Sequence, residues 1–457
     1  MVMPNGWRAS FGPHLLLAVL GGAGPAAAGP PPDLPAAARP PNIVFILADD
    51  LGYGHLGCYG QTRIRTPRLD RMAAEGVRFT QVYAGSTVCA PSRASLMTGL
   101  HQGHAVIRGN SPRVPLRAED VTVAEVLRRA GYRTAAIGKW GLGEPGTSGI
   151  PTRQGFDRWF GYLNQQHAHD SFPDYLWSDE QRVAVRKGAF SHDLFTDEAL
   201  QFVRGQRGRP FFLYLAYTIP HANSTARRMD SPGDAPYQGE PWPAPEKALA
   251  ALVTRMDTDV GRLLDLLRAL GIDRDTVVFF TSDNGPHREG GVDPAFHRAS
   301  GPLRGIKRDL YEGGIRVPMI VRWPGRIAAA RVSDQVWALW DFLPTAAELA
   351  GAAAPAGIDG LSMVPALLGR PQRNHEYLYW EFFEQGFQQA VRADRWKAVR
   401  TAPGRPLELF DLAADPGETV ELAARHPDVA AGMEEILRKA RTESPDWPTR
   451  GSPAGRP

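Results

Sequence analysis

The feature that most constrains the fold is an alternation of short, continuous apolar runs with segments of helical periodicity. The apolar runs span residues 42–47, 134–137, 211–215 and 277–280, and each ends in polar residues. The helical patterns span residues 67–75, 121–130, 192–204 and 246–270. Continuous apolar strands that alternate with helices indicate a sheet that is buried on both faces. We therefore expect an α/β fold with a large, mostly parallel sheet sandwiched by helices.

The pattern changes beyond residue 350. Short strand patterns at residues 377–383, 389–400 and 407–412 precede a helical pattern near residues 424–441. This order predicts a smaller C-terminal α+β subdomain with an antiparallel sheet. The predicted organisation is a signal peptide (1–28), a Pro/Ala-rich linker (29–40), a catalytic domain (41–350) and the C-terminal subdomain (351–457).

The N-terminal segment has the pattern of a secretory signal. Arg8 precedes an apolar run at residues 15–20, and Ala26, Ala27 and Ala28 form a small-residue cleavage site. The run is far shorter than the roughly 20 residues of a membrane span, and an uncleaved N-terminal anchor is the alternative. No later segment predicts a membrane span. We expect a secreted or periplasmic protein.

Composition narrows the classes of partner and the roles of the cysteines. The chain has 52 Lys+Arg, 49 Asp+Glu and a net charge of +3, which excludes a strongly acidic or basic disordered chain and predicts no nucleic-acid partner. Its two cysteines, Cys58 and Cys89, could form one disulfide in an exported protein. A chemical role for Cys89 is the other interpretation.

Polar groups follow the ends of the four predicted strands. They are Asp49, Asp50, Lys139, His221, Asp283 and Asn284. Each is also common in turns, caps or solvated surfaces, but the carboxyl ends of parallel strands meet at one edge of a sheet. Carboxylates brought together there would repel one another. A bound Ca²⁺ or Mg²⁺ relieves this repulsion, and oxygen ligands favour these ions over zinc.

The segment around Cys89 predicts a nucleophile beside an anion site. Pro91 and Ser92 suit the start of a helix that ends near Gly99. Cys89 would then precede a helix N-terminus, where free amides favour negative charge, and Arg93 would lie one turn further on. A nucleophile, an anion site and a metal together indicate attack on an anionic ester.

Residues 89–93, Cys-Ala-Pro-Ser-Arg, resemble the Cys-x-Pro-Ser-Arg signature of the formylglycine-dependent (type I) sulfatases, which have an alkaline-phosphatase-like fold. Further segments resemble this family in the same order: 42–54, 98–100, 138–140, 220–221, 282–285, 303–307 and 311–318. Residues 409–418 are similar to the family's closing subdomain. The resemblance therefore extends over most of the chain.

The resemblance implies that maturation machinery converts Cys89 to formylglycine, whose hydrate supplies an oxygen nucleophile. It implies a Ca²⁺ ion, with Mg²⁺ as the alternative, and the ligands Asp49, Asp50, Asp283, Asn284 and residue 89. Arg93 would hold the hydrate. Lys139 and Lys307 would neutralise the sulfate oxygens, and His221 would protonate the departing alcohol. Solvated lysines and a loop histidine are the alternatives for these three.

The implied activity is hydrolysis of a sulfate ester. One alternative is a sulfated-glycan-binding protein that has lost turnover, and another is a phosphodiester or phosphonate hydrolase of the same superfamily. The polar segment 161–169 and Trp159, Trp177 and Trp242 are suited to sugars, although such aromatic residues are more often core residues. We expect an exo-acting carbohydrate sulfatase.

The sequence departs from the family pattern at one position. Many sulfatases have a histidine directly after Gly-Lys-Trp, where it assists sulfate release, but this chain has Gly141. One interpretation is an impaired enzyme. The other is that His167 or His169 takes that role, and a surface or sugar-contacting histidine is the alternative for each.

Overall fold

A sheet of eleven strands forms the centre of the described residues, which are 39–206 and 208–449 of this computed structural model. The predicted signal peptide and most of the predicted linker lie outside them. The strands are β1 Asn42–Ala48, β2 Val77–Tyr83, β3 Arg133–Lys139, β4 Arg158–Tyr162, β5 Tyr175–Ser178, β6 Gln181–Ala184, β7 Phe211–Ala216, β8 Thr276–Ser282, β9 Arg316–Arg322, β10 Arg331–Ser333 and β11 Trp337–Ala338. Their order is β10-β2-β9-β8-β1-β7-β3-β4-β5-β6, and β11 also pairs with β2.

The sheet is mostly parallel, as the sequence predicts. Strands β8, β1, β7, β3 and β4 run parallel to their neighbours in this group. Strand β9 is antiparallel to both β8 and β2, and β5 is antiparallel to both β4 and β6. The four apolar runs are β1, β3, β7 and β8, and every residue of β1, β7 and β8 is buried. Their carboxyl ends therefore meet at one edge.

The described residues also form helices, most of which pack around this sheet. They are α1 Pro67–Ala74, α2 Cys89–Thr98, α3 Val123–Arg129, α4 Ser191–Gly205, α5 Ala244–Ala269, α6 Glu312–Ile315, α7 Phe342–Leu349, α8 Val364–Leu367 and α9 Pro427–Lys439. Thr122 and Glu125 form a capping box that fixes the start of α3. Within the described ranges, no helix combines the length and apolar character needed to cross a membrane.

A second sheet of four antiparallel strands lies in the C-terminal part, as predicted. Its strands are β12 Leu378–Phe382, β13 Gln388–Ala393, β14 Trp396–Arg400 and β15 Glu408–Asp411, in that order. Helix α9 packs on one face through Met433 and Leu437. The other face packs against the segment after β2, where Trp380 Nε1 donates to the Ala84 carbonyl oxygen at 2.8 Å. The predicted boundary near residue 350 follows α7 and stays a prediction.

Candidate active site

The polar groups at the strand ends converge at the carboxyl edge of the main sheet. Asp49 and Asp50 follow β1, Lys139 ends β3, His221 lies beyond β7, and Asp283 and Asn284 follow β8. Lys307 comes from the loop before α6, while Cys89 and Arg93 come from α2. The side chains of all these residues are buried. The fold thus brings together nine residues that the sequence analysis selected.

Asp49 lies between Lys139 and Cys89. Its Oδ2 accepts a hydrogen bond from Lys139 Nζ at 2.7 Å, and its Oδ1 lies 3.4 Å from Cys89 Sγ. Burial opposes ionisation of Asp49, but Lys139 and other nearby cations outweigh it and hold the pKa of that carboxyl well below its usual range. Burial and the Asp49 charge raise the pKa of the Cys89 thiol. An unmodified Cys89 is therefore a neutral thiol and a weak nucleophile.

Arg93 is held by Asp283 and by the end of β3. Its Nε and Nη2 donate to Asp283 Oδ2 at 3.0 and 2.8 Å, and its Nη1 donates to the Lys139 carbonyl oxygen at 2.8 Å. Burial and the Asp49 charge raise the pKa of Asp283 to about 7, even though Arg93 opposes the shift. Cys89 is the first residue of α2, so the expectation that it precedes the helix was wrong by one position.

Asp50 and Asn284 occupy the centre of the edge. Asp50 has φ 63°, a left-handed conformation that is uncommon outside glycine and found at functional sites. Its Oδ1 accepts from Asn284 Nδ2 at 2.7 Å, and its Oδ2 accepts from Lys307 Nζ at 2.8 Å. Asn284 Oδ1 is buried and has no hydrogen-bond partner among the described residues. An orphaned buried oxygen indicates a missing partner.

His221 has a defined protonation state. Its Nδ1 faces the Ala222 carbonyl oxygen and must donate to it, while its Nε2 lies 3.0 Å from Lys307 Nζ and must accept. Burial and Lys307 lower the pKa of His221 well below its usual value. In the free protein, His221 is therefore a neutral imidazole, rather than a group with the near-neutral pKa that the sequence suggested.

The chemistry of these groups fits a hard cation. Asp49, Asp50, Cys89 and His221 each place one possible ligand atom within 4.8 Å of the others. The orphaned Asn284 oxygen adds a further oxygen donor, whereas Asp283 Oδ2 is turned toward Arg93. Carboxylate and amide oxygens are the donors that Ca²⁺ and Mg²⁺ prefer.

His167 and His169 are the first and last residues of one short 3₁₀ helix, His167–His169. The His169 ring stacks on the His221 ring with the centroids 4.4 Å apart. Burial and Lys139 lower the pKa of His169 to about 4. The His167 ring packs between Tyr162 and Tyr175, away from this stack. Of the two predicted histidines, only His169 contacts the converging groups.

Gln165 is a residue that the sequence analysis missed. Its side-chain amide fills the space beside Gly141, because a Cβ atom built on Gly141 would lie 1.9 Å from Gln165 Nε2. This Nε2 is buried and has no hydrogen-bond partner among the described residues. The only sequence signal was its place in the polar segment 161–169.

Glu289 was also missed. Its Oε1 lies 3.8 Å from Lys307 Nζ and accepts from Arg308 Nη1 at 2.7 Å. Burial opposes its ionisation, but Lys307 and hydrogen bonding lower the pKa of Glu289 to about 2. It lies six residues after Asp283, and no pattern distinguished it from an ordinary surface acid.

The two cysteines and the three candidate sugar-binding tryptophans lie in different environments. Cys58 and Cys89 are both free thiols, so the disulfide interpretation was wrong. Trp159 is fully buried core, and Trp242 packs on Tyr237 at the edge of the core. Trp177 lines a cavity beside the carboxyl edge of the main sheet.

A family model described as sulfatase matches residues 41–352, more than half of the chain. The chain belongs to the sulfatase family. A second model, described as N-sulphoglucosamine sulphohydrolase, C-terminal, matches residues 306–443 of this sulfatase.

Curated relatives are similar over most of the chain. This sulfatase is 34% identical to N-acetylgalactosamine-6-sulfatase of Canis lupus familiaris, over 92% of its own length and 86% of the relative. It is 34% identical to arylsulfatase A of Homo sapiens, over 90% and 89% of the two chains. Such coverage supports a sulfate ester hydrolase.

Solved structures show the same architecture. The structure titled as Ps i-CgsB in complex with k-i-k-neocarrahexaose has a TM-score of 0.80 and 28% identity, over 90% of this chain and 95% of that one. The phosphonate monoester hydrolase of Agrobacterium radiobacter has a TM-score of 0.64 and 22% identity, over 88% of this chain and 95% of that one, which shows a shared fold alone.

Proposed function

We propose that this sulfatase removes sulfate from a sulfated carbohydrate, with formylglycine formed from Cys89 as the nucleophile. The observation that carries the proposal is the setting of residue 89 at the start of α2, beside Asp49 and within reach of the buried cations. In this setting a thiol stays protonated. An aldehyde hydrate offers an oxygen nucleophile in the same place.

The first step is attack on sulfur. One hydroxyl oxygen of the hydrate forms a bond to the ester sulfur as the bond from sulfur to the alcohol oxygen breaks. Lys139 and Lys307 are buried cations on either side of the carboxylates. They stabilise the charge on the sulfate oxygens in the transition state. Arg93, which is fixed by Asp283 and by the Lys139 carbonyl oxygen, holds the hydrate.

His221 gives the departing alcohol oxygen its proton. In the free protein its Nε2 accepts from Lys307. The negative charge of a bound sulfate ester favours the protonated imidazole, so the proton is taken up with substrate and passed on as the alcohol leaves.

Release of sulfate regenerates the aldehyde. The second hydroxyl of the hydrate loses its proton, the C=O bond forms, and the bond from residue 89 to the sulfate oxygen breaks. Water then rehydrates the aldehyde. His169 is the histidine nearest this chemistry, because its ring stacks on His221. We assign it the proton-accepting role left open by Gly141.

We propose Ca²⁺, with Mg²⁺ as the alternative, as the metal held by Asp49, Asp50, Asp283, Asn284 and residue 89. When bound, it supplies a fixed positive charge that favours the ionised hydrate. The orphaned Asn284 oxygen supports this assignment. Lys139 and Lys307 donate hydrogen bonds to the Oδ2 atoms of Asp49 and Asp50 and hold these carboxylates in place.

The proposed substrate is a sulfated sugar outside the cytoplasm, cleaved in exo fashion. The relatives include an N-acetylgalactosamine-6-sulfatase, and a similar structure, that of Ps i-CgsB, is a complex with k-i-k-neocarrahexaose. The predicted signal peptide agrees with a secreted or periplasmic enzyme that acts on such glycans. It also agrees with maturation by formylglycine-generating machinery.

Sulfate release from sulfated mono- and oligosaccharides and from p-nitrophenyl sulfate tests the proposal. We expect turnover of at least one sugar sulfate, and none by Cys89→Ala. Efficient turnover of the aryl ester with none of any sugar sulfate would contradict the carbohydrate assignment. Prolonged chelation should abolish turnover, and added Ca²⁺ should restore it. Full activity in verified metal-free protein would contradict the metal assignment.

A further inference from the structure

A cavity lies at the same sheet edge as the converging groups, displaced toward β4–β6. Its volume is about 660 Å³, within the range of about 300–1,000 Å³ typical of small-molecule sites. The segment after β4 forms one wall, the hairpin β5–β6 another, and residues 223–228 a third. The short helix His167–His169 connects the cavity to the converging groups, because His167 lines the cavity and His169 stacks on His221.

Arg182 presents its guanidinium group at this cavity. Trp177 and Arg182 are directly opposite each other in the β5–β6 hairpin, so their side chains share one face. The guanidinium carbon lies 5.2 Å from the Trp177 ring centroid and 4.6 Å from that of Tyr175. These contacts with two aromatic rings hold the group without using its hydrogen-bond donors.

Arg182 differs from the other charged residues of the cavity. Glu144 accepts from Asn164 Nδ2 at 2.7 Å, Asp170 accepts from the Phe172 backbone at 2.9 Å, and Arg228 pairs with Asp230 at 2.6 Å. Within residues 39–206 and 208–449, Arg182 has neither an ion pair nor a hydrogen bond to another side chain. Its planar donors are therefore free for a ligand.

We propose that this cavity binds a second, acidic sugar unit of the substrate, and that Arg182 selects its anionic group. A carboxylate or a sulfate offers paired oxygen acceptors that match a guanidinium. The carboxylates and amides of the cavity suit sugar hydroxyls, and the exposed part of Trp177 suits an apolar sugar face. The inference rests on the proposed function and adds the substrate class: a sulfated oligosaccharide with a second anion.

Rates with matched substrates test this inference. The substrates are a sulfated disaccharide with a neutral second sugar, its uronic acid counterpart, its counterpart with a second sulfate, and p-nitrophenyl sulfate. We expect kcat/KM of the parent to be higher for an acidic disaccharide than for the neutral one. The two acidic substrates show whether a carboxylate or a sulfate is preferred.

Arg182→Gln removes the charge and keeps much of the side chain. Loss of a charge-assisted hydrogen bond should lower kcat/KM for the preferred acidic disaccharide about 10-fold, mostly through KM. Rates with the neutral disaccharide and with p-nitrophenyl sulfate should not change. Arg326→Gln is the matched control, because Arg326 is also an exposed arginine near a tryptophan, Trp323, but follows β9 at the opposite edge of the sheet.

The outcomes are separable. Equal kcat/KM of the parent for neutral and acidic disaccharides would overturn the inference. A loss of kcat/KM in Arg182→Gln that is equal for all substrates would also overturn it. Both results leave the sulfatase proposal intact. Absence of sulfate release from every ester by protein with verified formylglycine would instead overturn the proposed function.

Discussion

At the scale of single residues, the positions of the reactive groups were predictable but their partners were not. Chain direction alone places Asp49, Lys139 and Asp283 at one edge, because parallel strands end together. It does not show that Asp283 pairs with Arg93. Nor does it show that Lys307 forms hydrogen bonds with Asp50 and His221. Those choices depend on side-chain packing between segments far apart in sequence.

A substitution at Gly141 tests whether the buried Gln165 amide forms a hydrogen bond to the substrate. Gly141→Ala places a Cβ where Gln165 Nε2 now lies and should push that amide away. Gly146→Ala is the matched control, because both glycines have positive φ (78° and 87°) and no atom approaches Gly146. We expect both variants to lose about 1–2 kcal/mol of stability from the backbone.

Only Gly141→Ala should lose sulfatase activity, about 10-fold in kcat/KM, as expected for one buried hydrogen bond to substrate. Urea unfolding and initial rates measure the two effects. Equal activity of both variants would show that the Gln165 amide does not contact the reacting groups.

His169 is predicted to assist the release of sulfate. In His169→Ala, nucleophilic attack should continue while breakdown of the sulfated residue 89 slows, since the proton acceptor is lost. We expect a burst of alcohol followed by slow turnover, with a sulfate adduct on residue 89 seen by mass spectrometry. His167→Ala is the control, because His167 packs on tyrosines away from His221. Steady turnover without an adduct in His169→Ala would refute the role.

At the scale of elements, strands buried on both faces were the easiest to predict. β1, β7 and β8 are continuous apolar runs with every residue buried. β2 contains both buried and half-buried residues, and its pairing with β9 joins residues about 240 positions apart. Nothing local in the sequence specifies that partner, so the antiparallel insertion in the main sheet could not be predicted.

Strand β14 is predicted to stabilise the segment that carries Lys307. Lys397 on β14 is fully buried and forms ion pairs with Glu312 at 3.0 Å and Glu418 at 2.9 Å. Glu312 begins α6, directly after the Lys307 loop. Lys397→Met removes the cation that these two buried carboxylates share, leaves Glu312 with its pair to Arg316 at 3.2 Å, and should cost about 3–5 kcal/mol.

Urea denaturation measures the Lys397→Met effect, and Lys439→Met is the control, because Lys439 forms an exposed ion pair on α9. We expect the control to unfold like the parent. A Lys397→Met variant as stable as the parent would show that this buried network is dispensable for the C-terminal sheet.

At the scale of the whole molecule, global unfolding should respond to the protonation of buried histidines. His55 Nδ1 accepts from the Gly52 backbone at 3.0 Å, and burial, together with His297 and His287, lowers the pKa of His55 to about 3. Below pH 6.5 His55 is protonated in the unfolded chain but stays neutral in the folded protein. Its contribution to stability is thus present above pH 6.5 and lost as the pH falls toward 3.

By pH 4.5 this loss should reach about 2–3 kcal/mol. His55→Asn loses the hydrogen bond from the Gly52 backbone at every pH, and its side chain does not titrate. The free energy of unfolding of the parent should therefore approach that of the variant between pH 7 and pH 4.5. A difference of the same size at both pH values would contradict the buried, neutral state of His55.

The central claim is that residue 89 acts as formylglycine. The most direct measurement is the mass of the peptide that contains residue 89, together with sulfate ester turnover of the same preparation, made in a host with the modifying machinery. We predict loss of the sulfur and an aldehyde in its place, with activity proportional to the modified fraction. Full activity in protein whose Cys89 is an intact thiol would contradict the claim.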